Sequence, residues 1–127
     1  MGQSMDRIEV LGANDDFYTA MRRGDVAEME RLWARRREVT CTHPNWSMLV
    51  GRKAVMDSWR LILTQAPPPQ IWPADADVVV TGTTAMVICI ERLGGNELMA
   101  SNTYVLEDHA WRIMNHQAAA MPAARAN

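Results

Sequence analysis

The spacing of apolar residues changes along this chain, from mostly helical before the APPP run at 66–69 to strand-like after it. Over residues 6–23, Val10, Ala13, Phe17 and Met21 recur at spacings of three and four, which predicts a helix with one apolar stripe. Gly24 supplies its C-terminal stop. Asp25 is the expected N-cap of a second helix, with Glu28 at capping-box spacing. Val26, Met29, Leu32 and Trp33 form the apolar face of that short helix, which is expected to end in the arginine run 35–37. Residues 38–43, EVTCTH, alternate with period two: Val39, Cys41 and His43 fall on one side of a predicted strand, Glu38, Thr40 and Thr42 on the other. Pro44 and Asn45 break that strand, and after Gly51 the residues Val55, Trp59 and Ile62 predict a third helix.

Beyond the proline run, DVVVTG, TTAMVICIERL, ELMASNTYVLED and AWRIMNHQA are four strand candidates. Gly82, the Gly94-Gly95-Asn96 turn and the segment 107–109 separate them. Connections this short imply antiparallel hairpins, because a parallel crossover takes a dozen or more residues. Three helices followed by such a sheet make a single α+β domain over residues 1–127, with 120–127 expected to be a flexible tail. MVICI carries apolar side chains on both faces of its strand. The helices cover one face, and a second copy of the chain is expected to cover the other in a homodimer.

Composition narrows the function classes without naming one. Thirteen Lys and Arg against fifteen Asp and Glu leave a net charge of −2, so nothing global favours nucleic acid or an anionic membrane surface. The pairs and runs at Arg22-Arg23 and 35–37 read as solvated helix ends. The two cysteines, Cys41 and Cys89, are far apart and lack metal-ligand spacing, which favours reduced thiols over a disulfide. No apolar run is long enough to span a bilayer and no signal-peptide layout is present, so a cytoplasmic location is expected.

Two segments resemble a known superfamily. FYTAMRRGDVAEMERLWA, Phe17 to Ala34, is similar to the opening of nuclear transport factor 2-like domains. Cys41 to Trp59, C-T-H-P-x-W-x-x-L-x-G-R-x-A-V-x-x-S-W, is similar to the SnoaL-like branch, and WRIMNHQ at 111–117 resembles its closing strand. The resemblance implies a cone-shaped barrel, in which three N-terminal helices pack on a curved, mostly antiparallel sheet that is open at one end to a pocket. It also implies pairing through the convex sheet face in many members. It does not choose a function, because the superfamily holds isomerases, cyclases, dehydratases, epoxide hydrolases and association domains.

The acid–base set of the isomerases in this superfamily is absent. Matching on Gly24-Asp25 places its oxyanion tyrosine near Phe17, its base at Cys41 or His43, and its protonated acid near Asn102. His43 is the candidate base, since a neutral imidazole on an inward face can take a proton; a ring that merely caps the Pro44 turn is the competing reading. Asn102 and His116 are second-rank candidates. The parity of the last strand leaves open whether His116 or Gln117 faces the pocket. Phe17, Tyr18, Cys41, Trp46, Trp59, Tyr104 and Met114 are expected to line the pocket, with Trp72 at its mouth. No metal site and no cofactor are expected. The expected function is binding of a small apolar or aromatic organic molecule, with cofactor-free isomerase, cyclase or hydratase chemistry. The alternative is a non-catalytic ligand-binding or association module.

Overall fold

A computed structural model describes residues 2–121, with side chains from Ser4 onward. Helix α1 spans Gly2–Arg23, one turn longer at its start than the apolar stripe predicts. Its buried face is Val10, Asn14, Phe17, Tyr18, Ala20 and Met21, so a polar residue occupies the stripe and Ala13 sits half-buried beside it. Gly24 closes the helix with φ of 63°; Gly24 N donates to Met21 O and Asp25 N to Ala20 O, at 3.2 and 2.9 Å. A Cβ at Gly24 would also meet the Leu63 carbonyl at 2.7 Å, so both backbone and space require glycine here. Asp25 then caps α2 (Val26–Leu32), its side chain accepting from Glu28 N at 3.0 Å.

Helix α2 stops at Leu32, before the arginines. Trp33 bridges to Ile113, and Ala34 N donates to Ile113 O at 2.9 Å, so the chain is already sheet-bound when the arginine run begins. The Glu107 carboxylate accepts from the backbone N–H groups of Arg35 and Arg36, both at 3.0 Å, which pins the run's backbone in place. Arg52 donates to the carbonyls of Glu30, Trp33 and Ala34 and satisfies the end of α2.

Strand β1 (Thr40–Thr42) is shorter than predicted, but Val39, Cys41 and His43 are buried together as its parity requires. It pairs antiparallel with β2 (Leu49–Val50), a two-residue element too short to leave a period in the sequence. Helix α3 (Arg52–Leu63) follows Gly51, whose φ is 95°, and buries Val55, Met56, Ser58, Trp59 and Leu63.

The remaining strands are β3 (Trp72–Thr81), β4 (Thr84–Leu93), β5 (Asn96–Glu107) and β6 (Ala110–Ala120). The six-stranded sheet has the order β2-β1-β6-β5-β4-β3, with only the β1–β6 pair parallel. The fold is therefore α+β: three helices on an open, curved, mostly antiparallel sheet. β3 starts earlier than its apolar run because a bulge between Ala74 and Asp77 accommodates the polar stretch. β6 continues through Ala118, Ala119 and Ala120, which pair with Ala100, Met99 and Leu98; of the expected flexible tail, residues 122–127 lie outside the described residues. Among the described residues no helix is long and apolar enough to cross a membrane.

A second bulge decides which side chains enter the interior. Thr103 pairs with Asn115 but Tyr104 pairs with Ile113, so Met114 is the extra residue on β6. The inserted residue resets the alternation. Trp111 and Ile113 are buried on one side of it and His116 and Ala118 on the other, while Gln117 is exposed. Of the two residues that strict parity left open, His116 is the one buried and Gln117 is exposed, although Ile113 also faces inward. On the outer face of the sheet, Val79, Met86, Ile88 and Met99 remain exposed.

Candidate functional site

A cavity of about 310 Å³ opens where the end of β4 and the start of β5 meet α1, α3 and the segment after β1. Its polar wall is His43, Gln65, Glu91 and His116, and its aromatic wall Trp46 and Trp59, with Met21, Ile62 and Leu98 among the apolar remainder. Neither Lys nor Arg is among its lining residues.

Each polar group is held by a neighbour from a different element. His116 and Asn102 are direct partners across β5 and β6, and His116 Nδ1 lies 2.6 Å from Asn102 Oδ1. The Asn102 amide is oriented from the other side, where Nδ2 donates to Asn14 Oδ1 at 2.9 Å and to Tyr18 Oη at 3.0 Å. A carbonyl oxygen only accepts, so His116 carries its proton on Nδ1 and leaves Nε2 with a free lone pair. Tyr104 donates to Asn14 Oδ1 at 2.8 Å, and Tyr18 donates to Glu91 Oε2 at 2.6 Å. Asn14, Tyr18, Glu91, Asn102, Tyr104 and His116 form one buried network across α1, β4, β5 and β6. Within it, the donor Asn14 Nδ2 has no partner among the described residues.

His43 sits outside this network but beside it. Its Nε2 is 2.9 Å from Ser58 Oγ, and Ser58 gives its own proton to the Val55 carbonyl at 2.6 Å, so His43 Nε2 is the donor and Nδ1 the lone pair. Trp46 and Trp59 meet the imidazole edge-on with ring centroids 4.8 and 4.7 Å away. The Cys41 sulfur lies 3.6 Å from Nε2. Burial pushes the His43 pKa down to about 4. Burial, with a smaller contribution from nearby His43, takes His116 down to about 3. Both rings are neutral at pH 7, so the 4.0 Å approach of His116 Nε2 to Glu91 Oε2 is not an ion pair. Burial raises the Glu91 carboxyl pKa against the lowering effect of the Tyr18 hydrogen bond. Burial likewise pushes the Cys41 thiol up to about 12 and the Tyr18 hydroxyl higher still, so neither ionises near neutrality.

The structure places His43, His116, Trp46 and Trp59 on the cavity. It places Phe17, Tyr18, Cys41, Asn102 and Tyr104 behind that wall, fully buried. Tyr104 is six positions along β5 from the cavity residue Leu98, about 20 Å at strand rise, so it reaches only the deep end of the network. Phe17 touches the Trp59 and His116 rings from α1, and Met114 is the half-buried bulge residue away from the lining. Trp72 is exposed, with the Arg22 guanidinium 3.6 Å over its ring. Asn14, Ser58 and Glu91 are absent from the sequence-based set. Glu91 had a signal: it follows Ala85, Val87 and Cys89 on the inward parity of β4. Asn14 had one too, four residues after Val10 and three before Phe17. Among the described residues no three His, Cys, Asp or Glu side chains converge as a metal site would require.

The model of the SnoaL-like domain family matches residues 10–124. A crystal structure from Streptomyces avermitilis, described as a candidate dehydratase of the NTF2-like family, is 33% identical with a TM-score of 0.88, covering 95% of this chain and 99% of that one. A candidate calcium/calmodulin-dependent protein kinase type II association domain from Thiobacillus denitrificans is 27% identical with a TM-score of 0.76, covering 87% of this chain and 93% of that one. An NTF2-like protein of unknown function from Pseudomonas putida shares the fold at 16% identity and a TM-score of 0.82, over 93% of this chain and 88% of that one. The F-box protein SKIP8 of Arabidopsis thaliana is 20% identical over 88% of this chain, which spans about half (49%) of that relative's length. The match over residues 10–124 and the likeness to the Streptomyces protein along nearly its whole length agree with the fold, and the chain belongs to the SnoaL-like branch of the NTF2-like superfamily.

Proposed function

We propose that this domain binds a small, largely apolar or aromatic organic molecule in the cavity and carries out cofactor-free proton-transfer chemistry on it. Elimination of water fits the groups best. The observation that carries this reading is that His43, His116 and Glu91 share one cavity walled by two tryptophans. Both imidazoles are neutral at pH 7, and burial raises the Glu91 carboxyl pKa, which favours its proton-bearing form. The His43 Nδ1 lone pair takes a proton from carbon, and the electron pair left behind forms the new double bond. The C–O bond breaks as the Glu91 carboxyl protonates the departing hydroxyl, releasing water. His116 Nε2 is the second acceptor in the site and holds the ligand's hydroxyl proton. The candidate dehydratase of Streptomyces avermitilis supports the same reaction class.

A thermal-shift screen with cyclic ketones, lactones, epoxides and aromatic acids tests the binding part. Hits incubated in D₂O test the chemistry, because a base that removes a carbon-bound proton exchanges it for deuterium. Native protein is expected to catalyse the exchange, and His43→Asn to slow it by about 10²-fold. Exchange that is equal in the two proteins removes His43 as the base.

A second reading has its own support. The exposed apolar residues of the outer sheet face and the likeness to an association domain fit a homodimer formed through that face. Pairing there leaves the cavity open, so the two readings are compatible. A cytoplasmic setting completes the proposal, since the buried thiols Cys41 and Cys89 are unpaired.

A further inference from the structure

We infer that the indole N–H of Trp59 is the anchor for the ligand's carbonyl oxygen, and that the cavity therefore selects an uncharged carbonyl compound over its carboxylate counterpart. The inference rests on the cavity being a ligand site, as proposed above. Trp59 lines that cavity and is 2% exposed, and its Nε1 has no hydrogen-bond partner among the described residues. A buried donor without an acceptor destabilises the fold, so an acceptor that arrives with a ligand gains what the fold alone forgoes.

The ring is not free to turn away and find a partner elsewhere. Phe17 meets it edge-on at 5.5 Å and His43 at 4.7 Å, with interplanar angles of 88° and 85°, and the His116 ring is 5.8 Å away. The ring that carries the donor is thus held against both histidines that offer lone pairs. An oxygen at Trp59 Nε1–H is polarised next to the groups able to take a proton from the adjoining carbon. That arrangement gives the elimination its substrate class: a neutral β-hydroxy carbonyl compound with an apolar or aromatic body.

Charge selectivity follows from the lining. A carboxylate entering this cavity meets two neutral imidazoles, the Gln65 amide, the Glu91 side chain and no Lys or Arg, so it loses its hydration without gaining a counter-ion. The second buried indole without a partner, Trp111 Nε1, is not on the cavity wall and plays no part.

The test uses three probes on one ring system: 1-acetonaphthone with a carbonyl, 1-ethylnaphthalene without one, and 1-naphthoate with a charge. Affinities are measured by titration calorimetry on native protein and on Trp59→Phe, which keeps an aromatic ring and removes the N–H. Native protein is expected to bind the ketone about tenfold more tightly than the hydrocarbon and to bind naphthoate most weakly, one hydrogen bond being worth about that factor. Trp59→Phe is expected to erase the gap between ketone and hydrocarbon while still binding the hydrocarbon. In ¹H–¹⁵N spectra, the indole resonance lost in Trp59→Phe is the one that moves when the ketone is added. Ketone and hydrocarbon bound equally by native protein, or a gap that survives in Trp59→Phe, overturns this inference and leaves the ligand site standing. Failure of all three probes to bind overturns both. Should Trp59→Phe fold poorly, the movement or stillness of the native Trp59 indole resonance decides alone.

Discussion

His116 Nδ1 donates to Asn102 Oδ1 across 2.6 Å, and the two residues are direct partners in the β5–β6 ladder. The pairing exists because the Met114 bulge turns His116 inward. It fixes the tautomer of the ring and, with it, the free Nε2 on the cavity side. Asn102 is therefore the joint through which α1, β4 and β5 orient a group on β6.

Asn102→Leu is expected to destabilise the fold by roughly 3 kcal/mol. It strands the His116 Nδ1–H, and it deprives Tyr18 Oη and Asn14 Oδ1 of a donor in a fully buried setting. Urea unfolding monitored by tryptophan fluorescence measures the loss. An unchanged midpoint shows that the network contributes nothing to stability.

Stability is expected to fall on mild acidification. His43 and His116 have folded pKa values near 4 and 3, below the ordinary 6.5, so the unfolded chain binds protons more readily than the folded one. Their contribution is complete above pH 6.5 and is lost as pH falls toward those folded values. At pH 5 the loss is about 2 kcal/mol for each ring. Glu91 works in the opposite direction, since its raised pKa means that the folded chain binds this proton more tightly than the unfolded one. Unfolding midpoints at pH 7.5 and pH 5 for native protein and His116→Asn check the sign. The native protein is expected to lose more than the variant, and equal losses remove His116 from the account.

The outer sheet face yields a prediction about assembly. Light scattering is expected to give a mass of two chains for native protein and of one chain for Ile88→Glu, which places a charge amid the exposed apolar residues of that face. Leu61→Glu, on a more exposed position of α3, is expected to remain a dimer. A native mass of one chain rejects the pairing.

The order of elements was legible because periodicity and turn residues agree: Gly24, Asp25, Gly51 and the hairpin glycines sit where the backbone needs them. The inward placement of His43 was legible from the alternation of Val39, Cys41 and His43. The face of His116 was not, because a bulge adds a residue without leaving a mark on hydrophobic pattern. β2 escaped for a related reason, its two residues being too few to show any period. Glu91 and Asn14 were missed differently. Both lie on inward stripes, but a carboxylate or amide there reads as an interruption until its partners Tyr18 and Asn102 are known from other elements. Trp59 was legible as a helix residue expected on the pocket wall, where it lies, and its unpartnered Nε1 is known only from the structure.

The central claim is that the cavity beside His43 and His116 receives a small uncharged organic molecule. Long-range ¹H–¹⁵N spectra of the three imidazoles during titration with 1-acetonaphthone test it most directly, because exposed His109 serves as an internal control. The account predicts that both buried rings are neutral at pH 7, that His116 is protonated at Nδ1, and that the signals of His43 and His116 move while those of His109 stay still. Charged buried rings, or a titration that leaves His43 and His116 unmoved, would contradict it.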